Sequence, residues 1–213
     1  MLRVDFHLHT VYSNDSTISP RLLVEQLHNH AAIKGVAVTD HNTLEGYHQV
    51  RKMASVYEDL VVLPGVEVST DKGDLILLGV DDAPKLPSTL DSTLDFARAR
   101  DGIMVVPHPY RFLGLGDLTM DVEAHAIEVL NPTAKSGENM LAHRATEARR
   151  LPGIAGTDAH RPEELWTTFT EVDVSPDPES ILTAFRRRSV ESFTVRRSRS
   201  AEKLEGGKVA SRN

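Results

Sequence analysis

Two short pairs of residues far apart in the chain carry the chemistry: His7-x-His9 near the start and Asp158-x-His160 well downstream. A spacing of two puts both side chains on the same side of an extended segment. Between the pairs lie His41, Glu67 and His108, each close behind an apolar run. Imidazole and carboxylate are ligand types for zinc, manganese and iron. An imidazole binds one ion and a carboxylate can bridge two, so this mixture of His with Asp and Glu suits a site for two or three divalent ions. Asp15 can reach the same place from the loop after the first apolar run, or can simply shape the turn before Ser19. Asp40 can orient His41 or cap the helix that follows. Asn131 can offer a neutral amide oxygen or cap the loop before Pro132. The other five histidines, His28, His30, His48, His125 and His143, fall in expected helices or loops and are read as structural or exposed.

The elements that must position these residues alternate between strand and helix. Residues 2–7 read as a strand. Ser19 opens a helix with Pro20 at its first position, and Gly35 ends it after residue 34. Further strands are expected at 36–39, 60–66, 74–80, 103–106, 126–130 and 153–156. Helices are expected near 44–57, 90–100, 138–150 and 179–188, and a final strand at 189–195 is left open. This pattern argues for a mostly parallel sheet covered by helices, in an α/β fold. Seven such units fit a small, incomplete or distorted (β/α) barrel, with an open doubly wound sheet as the alternative. In a parallel barrel the strand ends share one face, where the active sites of such barrels lie. No Gly-rich dinucleotide or P-loop fingerprint follows any strand.

Composition narrows the classes. The 213 residues, 40% hydrophobic and 26% charged, suit one soluble globular domain. The absence of cysteine excludes disulfides, thiolate zinc sites and thiol nucleophiles. The first residues lack the apolar core of a signal peptide, and no apolar run is long enough to span a membrane, so a cytoplasmic protein with no membrane partner is expected. Net charge is −7, yet residues 186–213 hold nine Lys and Arg against three Asp and Glu. A domain over 1–195 and a basic, flexible tail over 196–213 are therefore expected. The tail can be a nucleic-acid arm or merely solvated. The acidic body lacks the basic surface of a general nucleic-acid binder.

The segments DFHLHTVYSNDSTISP, AVTDHNTLEGY, LPGVEVST, VVPHPYR, IEVLNP and GIAGTDAHRPEEL resemble, in order and spacing, those of the polymerase and histidinol phosphatase (PHP) superfamily, from residue 5 to 165. The resemblance implies a distorted seven-stranded (β/α) barrel of TIM-like form with a hydrolase site for two or three ions of zinc, manganese or iron. Carried over by position, it implies that His7, His9, Glu67 and Asp158 hold a first ion. Glu67 would bridge to a second ion with His108, and Asp15, His41 and His160 would hold a third. Many relatives carry Cys or His where this chain has Asn131. The short form with VVPHPYR and GTDAHRP is most similar to stand-alone phosphoesterases acting on nucleotides and other small phosphates.

The expected chemistry is hydrolysis of a phosphate ester by a metal-activated hydroxide. Asp158, His160 and Arg111 are the candidate catalytic residues, and His9 is an alternative to His160 for passing a proton to the leaving group. Arg111, three residues after His108, is the candidate phosphate clamp, because a guanidinium grips two oxygens at once; its competing role is a surface salt bridge. Lys135 is a weaker substrate contact or a plain surface lysine. A phosphatase for small monoesters, including nucleotides, leads. An exonuclease trimming short RNA or DNA, and a non-catalytic metal-binding regulatory domain, are the alternatives. Substrate identity and oligomeric state stay open.

Overall fold

The computed structural model describes residues 1–198. Nine strands and five α-helices follow one another as β1 (Leu2–Asp5), α1 (Pro20–Asn29), β2 (Gly35–Val38), α2 (Glu45–Ala54), β3 (Val61–Ser69), β4 (Asp74–Leu78), α3 (Leu90–Arg98), β5 (Ile103–Val106), β6 (Ala126–Leu130), α4 (Ser136–Arg149), β7 (Gly153–Ala155), β8 (Thr168–Val172), α5 (Pro178–Arg186) and β9 (Phe193–Arg197). They form one sheet in the order β7-β6-β5-β4-β3-β2-β1-β8-β9.

The barrel therefore has nine strands rather than the expected seven, and it is not mostly parallel. β1–β2, β2–β3, β5–β6 and β6–β7 run parallel, whereas β3–β4, β4–β5, β1–β8 and β8–β9 run antiparallel. The reversal at β4 has a local cause. Thr70 closes a tight turn onto Gly73 through both its N–H and its hydroxyl, and so short a connection can only return the chain as a hairpin. β8 lies in a Thr-rich stretch with little apolar signal, yet Thr168 and Thr170 are buried in the sheet. Their hydroxyls bond backbone carbonyls of Gly156 and Ala155, so they are satisfied inside.

Closure occurs at the end that carries the candidate site. Beyond Asp5 the chain leaves β8 and pairs instead with the continuation of β7. Asp158 N–H donates to His7 O at 2.7 Å, His9 N–H donates to Ala159 O at 3.0 Å, and Leu8 bridges Ala159 in parallel. The first and seventh strands thus meet at the mouth, while β8 and β9 fill the gap below.

One apolar layer joins the inward residues of the strands, such as Phe6, Leu63, Ile76 and Val105, to Ile181, Leu182 and Phe185 of α5. Phe185 meets Phe6 edge-on at 5.3 Å between ring centroids. Leu182 lies against Gly79, just past the end of β4, so α5 plugs the barrel opposite the mouth. A second layer packs α1 to α4 on the outside of the sheet. α1 starts as expected, with Ser19 Oγ accepting from Leu22 N–H, but it stops five residues early. The His30 ring takes the N–H groups of Ala32 and Ile33, which diverts the backbone into a turn. β9 runs two residues past the expected domain boundary, because Arg196 and Arg197 pair with Phe169 and Thr168. The expected tail beyond residue 198 lies outside the described residues. No helix among them is long and apolar enough to cross a membrane.

Gly156 sits where this closure is tightest. A Cβ there would collide with the Cβ of His7 and lie 2.6 Å from Glu128 Oε1. Gly156→Ala is expected to destabilise the fold by about 1–3 kcal/mol through overpacking. Chemical denaturation measures it, and an unchanged midpoint would show that the mouth is more yielding than this packing implies.

Candidate metal centre

His7 and His9 face the same side of the β1 extension and are fully buried. Each has its outer ring nitrogen occupied. His7 Nδ1 lies 3.2 Å from Glu128 Oε1, and His9 Nδ1 lies 3.0 Å from Ser13 Oγ. With Nδ1–H donated in this way, both Nε2 lone pairs are left for the pocket. Asp40 fixes Ser13 by accepting its hydroxyl at 2.8 Å, and also accepts from Thr10 N–H and Oγ1 at 2.6 Å. Asp40 therefore acts through Ser13, which meets the His9 ring and also accepts the His41 backbone N–H. Asp5 ties β1 to the Thr157 loop, accepting from His7 N, Thr157 N and Thr157 Oγ1. Burial raises the Asp5 carboxyl to about 7, against those three hydrogen bonds.

The floor of the pocket is a compact set of donor atoms. His7 Nε2 and His9 Nε2 are 3.1 Å apart. Each lies 3.3–3.4 Å from Glu67 Oε2 and from Asp158 Oδ1. Both imidazoles thus face the same two carboxylates, a mixed nitrogen and oxygen donor set of the kind that holds zinc. Glu67 divides its oxygens: Oε2 also lies 3.1 Å from His41 Nδ1, while Oε1 lies 3.0 Å from His108 Nε2. A carboxylate shared in this way is placed to bridge two positions. His108 and Asp158 both have left-handed backbones, with φ of 27° and 52°. Such conformations are uncommon outside glycine and gather at functional sites. At His108 the bend is held by its N–H donating to Glu128 Oε2 at 2.7 Å.

Toward solvent the same pocket becomes looser. The half-buried His41 and His160 face Asp15 Oδ2 at 3.7 and 3.4 Å. His160 Nδ1 lies 2.8 Å from the Asp158 carbonyl, which leaves Nε2 toward Asp15. His9 stacks on His160 at 4.2 Å and approaches His41 at 4.4 Å, so this trio adjoins the floor. Seven of the eight expected ligand residues fall in groups that could hold a metal ion, and Asp15 lies beside them, facing His41 and His160 without belonging to such a group.

The remaining expected residues separate. Arg111 reaches the site, donating from Nη1 to Asp158 Oδ2 at 2.7 Å and to Thr133 Oγ1. Lys135 stays exposed at the start of α4, where its backbone N–H bonds Glu138. No contact carries its side chain into the cluster. Asn131 is buried in the pocket wall, but its oxygen accepts from Thr133 N–H and Oγ1. Its amide NH2 faces Glu128 and Asp158. It braces carboxylates and does not present a donor oxygen. Sequence reasoning missed Glu128 and Ser13. Glu128 had a signal, as the one charge inside the apolar strand AIEVL; Ser13 had none. His28, His30, His125 and His143 pack or pair outside the pocket.

Burial works against charge on His7, but Asp158, Glu67 and Glu128 overcome it and hold its pKa well above the usual value. His9 is likewise lowered by burial, then raised to about 9 by Asp158 and Glu67. Burial opposes ionisation of Glu67 and Asp158 too, yet His7 and its neighbours draw both well below the normal carboxylate range. Burial lowers His160, with His9 adding to the effect. The pocket thus binds protons strongly when no other cation is there.

The PHP domain family matches residues 5–159, and a family described as PHP-associated matches residues 136–190. Two uncharacterized proteins of Methanocaldococcus jannaschii are similar in sequence. MJ1587 is 31% identical over 149 residues, 64% of this chain and 85% of its own length. MJ0417 is 26% identical, covering 83% of this chain and 74% of its own length. Among solved structures, PsfC of Pseudomonas syringae has a TM-score of 0.65 at 18% identity, covering 96% of this chain and 95% of its own. An amidohydrolase from Chromobacterium violaceum with bound sulfate and no metal has a TM-score of 0.63 at 16% identity, over 76% and 88%. A Bifidobacterium adolescentis protein provisionally described as a metal-dependent phosphoesterase has a TM-score of 0.62 at 15% identity, over 74% and 87%. At these identities the structures show a shared fold.

Metal uptake is expected to displace protons from the pocket. His9 is protonated below its pKa of about 9, and a protonated imidazole offers no lone pair, so affinity should fall as pH decreases. Between about pH 7 and pH 8, binding of the first ion should release roughly one proton or more. Calorimetry in buffers of different ionisation enthalpy measures this; binding without proton release would contradict the electrostatics described.

Proposed function

The chain belongs to the PHP domain family, and from that premise we propose that it is a metal-dependent phosphoesterase that hydrolyses small phosphate monoesters. The observation that carries this reading is the bridging position of Glu67, with one oxygen among His7, His9 and His41 and the other at His108. His7, His9, Glu67 and Asp158 would hold one ion, and His41, His160 and Asp15 another at the open side. Divalent ions bound there would supply Lewis acidity and lower the pKa of water.

The chain's own groups do the rest. Arg111 is half-buried beside Asp158, and only its Nη1 is used by the protein. Its Nε and Nη2 donors remain for two phosphoryl oxygens, and the Asp158 contact holds the fork in place. Of the two candidate proton carriers, His9 has one ring nitrogen held by Ser13 and the other inside the donor cluster. His160 is half-buried on the open side, but its Nδ1 faces the Asp158 carbonyl and its Nε2 faces Asp15 at the outer ion position, so neither histidine is free to protonate the leaving alkoxide, and that proton would come from water.

The space for the leaving group supports small substrates. A cavity of about 640 Å³ adjoins His41 and Asp15 and is walled by Tyr12, Asn14, Asn42, Thr43 and Leu86. Among the described residues, neither Lys nor Arg lines it. A nucleic-acid channel needs cations along the backbone path, and this wall instead carries the Asp15 carboxylate. A neutral organic group suits it better than a second phosphate.

A panel of mononucleotides, sugar phosphates and short labelled RNA tests the reading. Monoesters should turn over and RNA should not; stepwise RNA trimming without monoester hydrolysis would favour the exonuclease alternative instead. Arg111→Ala should lower kcat/KM by roughly ten- to a hundredfold, the loss of one charge-assisted bidentate contact. Arg111→Lys should recover only part, since an ammonium lacks the fork. Unchanged kinetics in both variants would remove Arg111 from the substrate contacts.

A further inference from the structure

The outer face of the sheet at β1, β8 and β9 gathers arginines away from the mouth. The strand register pairs Arg3 with Glu171, and Phe169 with Arg196. Directly paired residues on antiparallel strands share a face, and so do residues two apart on one strand. Arg3, Glu171, Phe169 and Arg196 therefore stand together. Their neighbours Val4, Val172 and Phe193 point the other way, into the apolar layer around α5. Those four residues, with Arg197 and the turn after α1, wall a cavity of about 480 Å³. None of the candidate metal ligands lines it.

We propose that this cavity is a second phosphate-binding site, which takes the phosphate group of a small phosphorylated molecule; it does not depend on the metal-binding reading of the mouth. Of the described residues that line it, three are arginines and Glu171 alone is acidic. Glu171 holds two of the guanidinium groups in place. Its Oε1 accepts from Arg3 Nε at 3.0 Å and its Oε2 from Arg196 Nε at 2.9 Å. Burial opposes ionisation of Glu171, but Arg196 and Arg3 draw its carboxyl below the usual value. Arg3 is fixed further by lying over the Phe169 ring, 5.2 Å from its centroid. One carboxylate can occupy only one edge of each guanidinium. Among the described residues, no other Asp or Glu pairs with Arg3 or Arg196. The Nη donors on the far edges of two positioned forks are thus left for a ligand, and such parallel donors match the oxygens of a phosphate group.

His30 adds a neutral donor to the same wall. Its Nδ1 accepts the N–H groups of Ala32 and Ile33, so the ring proton sits on Nε2. Burial lowers the pKa of His30, and the positive charges of Lys34 and Arg3 add to the effect. The side chains of Arg3 and Arg196 are 38% and 51% exposed, so both can be reached from solvent. Size and charge favour a small ligand. The cavity has the volume of a small-molecule site, and the net charge of −7 opposes a long polyanion.

Phenylglyoxal, which attacks the Nη atoms of arginine, tests this on the full-length protein, with peptide mass spectrometry reading each residue. The probes are inorganic phosphate, phenylphosphonate, which has no ester bond to hydrolyse, and a short RNA. Phosphate and phenylphosphonate should slow modification of Arg3 and Arg196 severalfold. The exposed Arg21 should react as it does in sodium chloride of equal ionic strength. Calorimetric titration with inorganic phosphate follows, in an Arg111→Ala background that weakens binding at the mouth. There Arg3→Gln and Arg196→Gln should each weaken binding by roughly tenfold or more, the loss of one charge-assisted contact. Thermal melts confirm that the variants are folded; should they not be, the protection measured in the wild type decides. Equal reactivity of Arg3 and Arg196 in phosphate and in chloride, or Gln variants that bind phosphate as their parent does, would overturn the proposal and leave the mouth chemistry untouched. Protection by RNA without protection by phosphate or phenylphosphonate would overturn it in favour of a polyanion track.

Discussion

Glu67 and Asp158 place two carboxylates in the mouth of the barrel, each almost fully buried and, among the described residues, neither paired with a lysine. Arg111 reaches one oxygen of Asp158, and among the described residues no Lys or Arg reaches Glu67. Buried charge of one sign is costly in a low-dielectric interior, and Glu128 and Asp74 add to it from the walls. The histidines can answer it only by holding protons, as the elevated pKa values of His7 and His9 show. A site built this way stores a demand for positive charge, which divalent ions would meet while leaving the imidazoles neutral.

The fold is arranged to sustain that demand. The β1 and β7 extensions pair only at the mouth, and this pairing carries His7 and His9 on one strand against Asp158 and His160 on the other. Left-handed backbones at His108 and Asp158 turn side chains inward that regular strands would carry past the pocket. Glu128 serves three of these groups at once, through the His7 ring, the His108 N–H and the Asn131 amide. Its buried carboxylate is affordable because each oxygen accepts hydrogen bonds. At the other end, α5 fills the barrel with Phe185 and its neighbours, so the apolar plug and the charged mouth are separated along the axis.

Much of the candidate site was legible in the sequence because most of its candidate ligands follow strands, and a strand's last residues are easy to locate. His7, His41, Glu67, His108 and Asp158 were found by that rule. The same rule hid Asp74. It assumed parallel strands, whose starts lie far from the mouth, whereas the tight turn at Thr70–Gly73 reverses β4 and puts its first residue beside the end of β3. β8 escaped notice because buried threonines give no apolar alternation, and α1 was drawn too long because a histidine side chain can end a helix before a glycine does. Contacts made between distant segments, such as Ser13 with His9 and Asp40, leave no local trace in sequence at all.

The proposed chemistry requires cations in the pocket between these particular side chains. Anomalous diffraction from crystals of the metal-loaded protein tests that directly. It should show a peak bounded by His7 Nε2, His9 Nε2, Glu67 and Asp158, with at least one neighbouring peak sharing Glu67. A pocket without any anomalous peak, its carboxylates still paired to protonated histidines after loading, would contradict it.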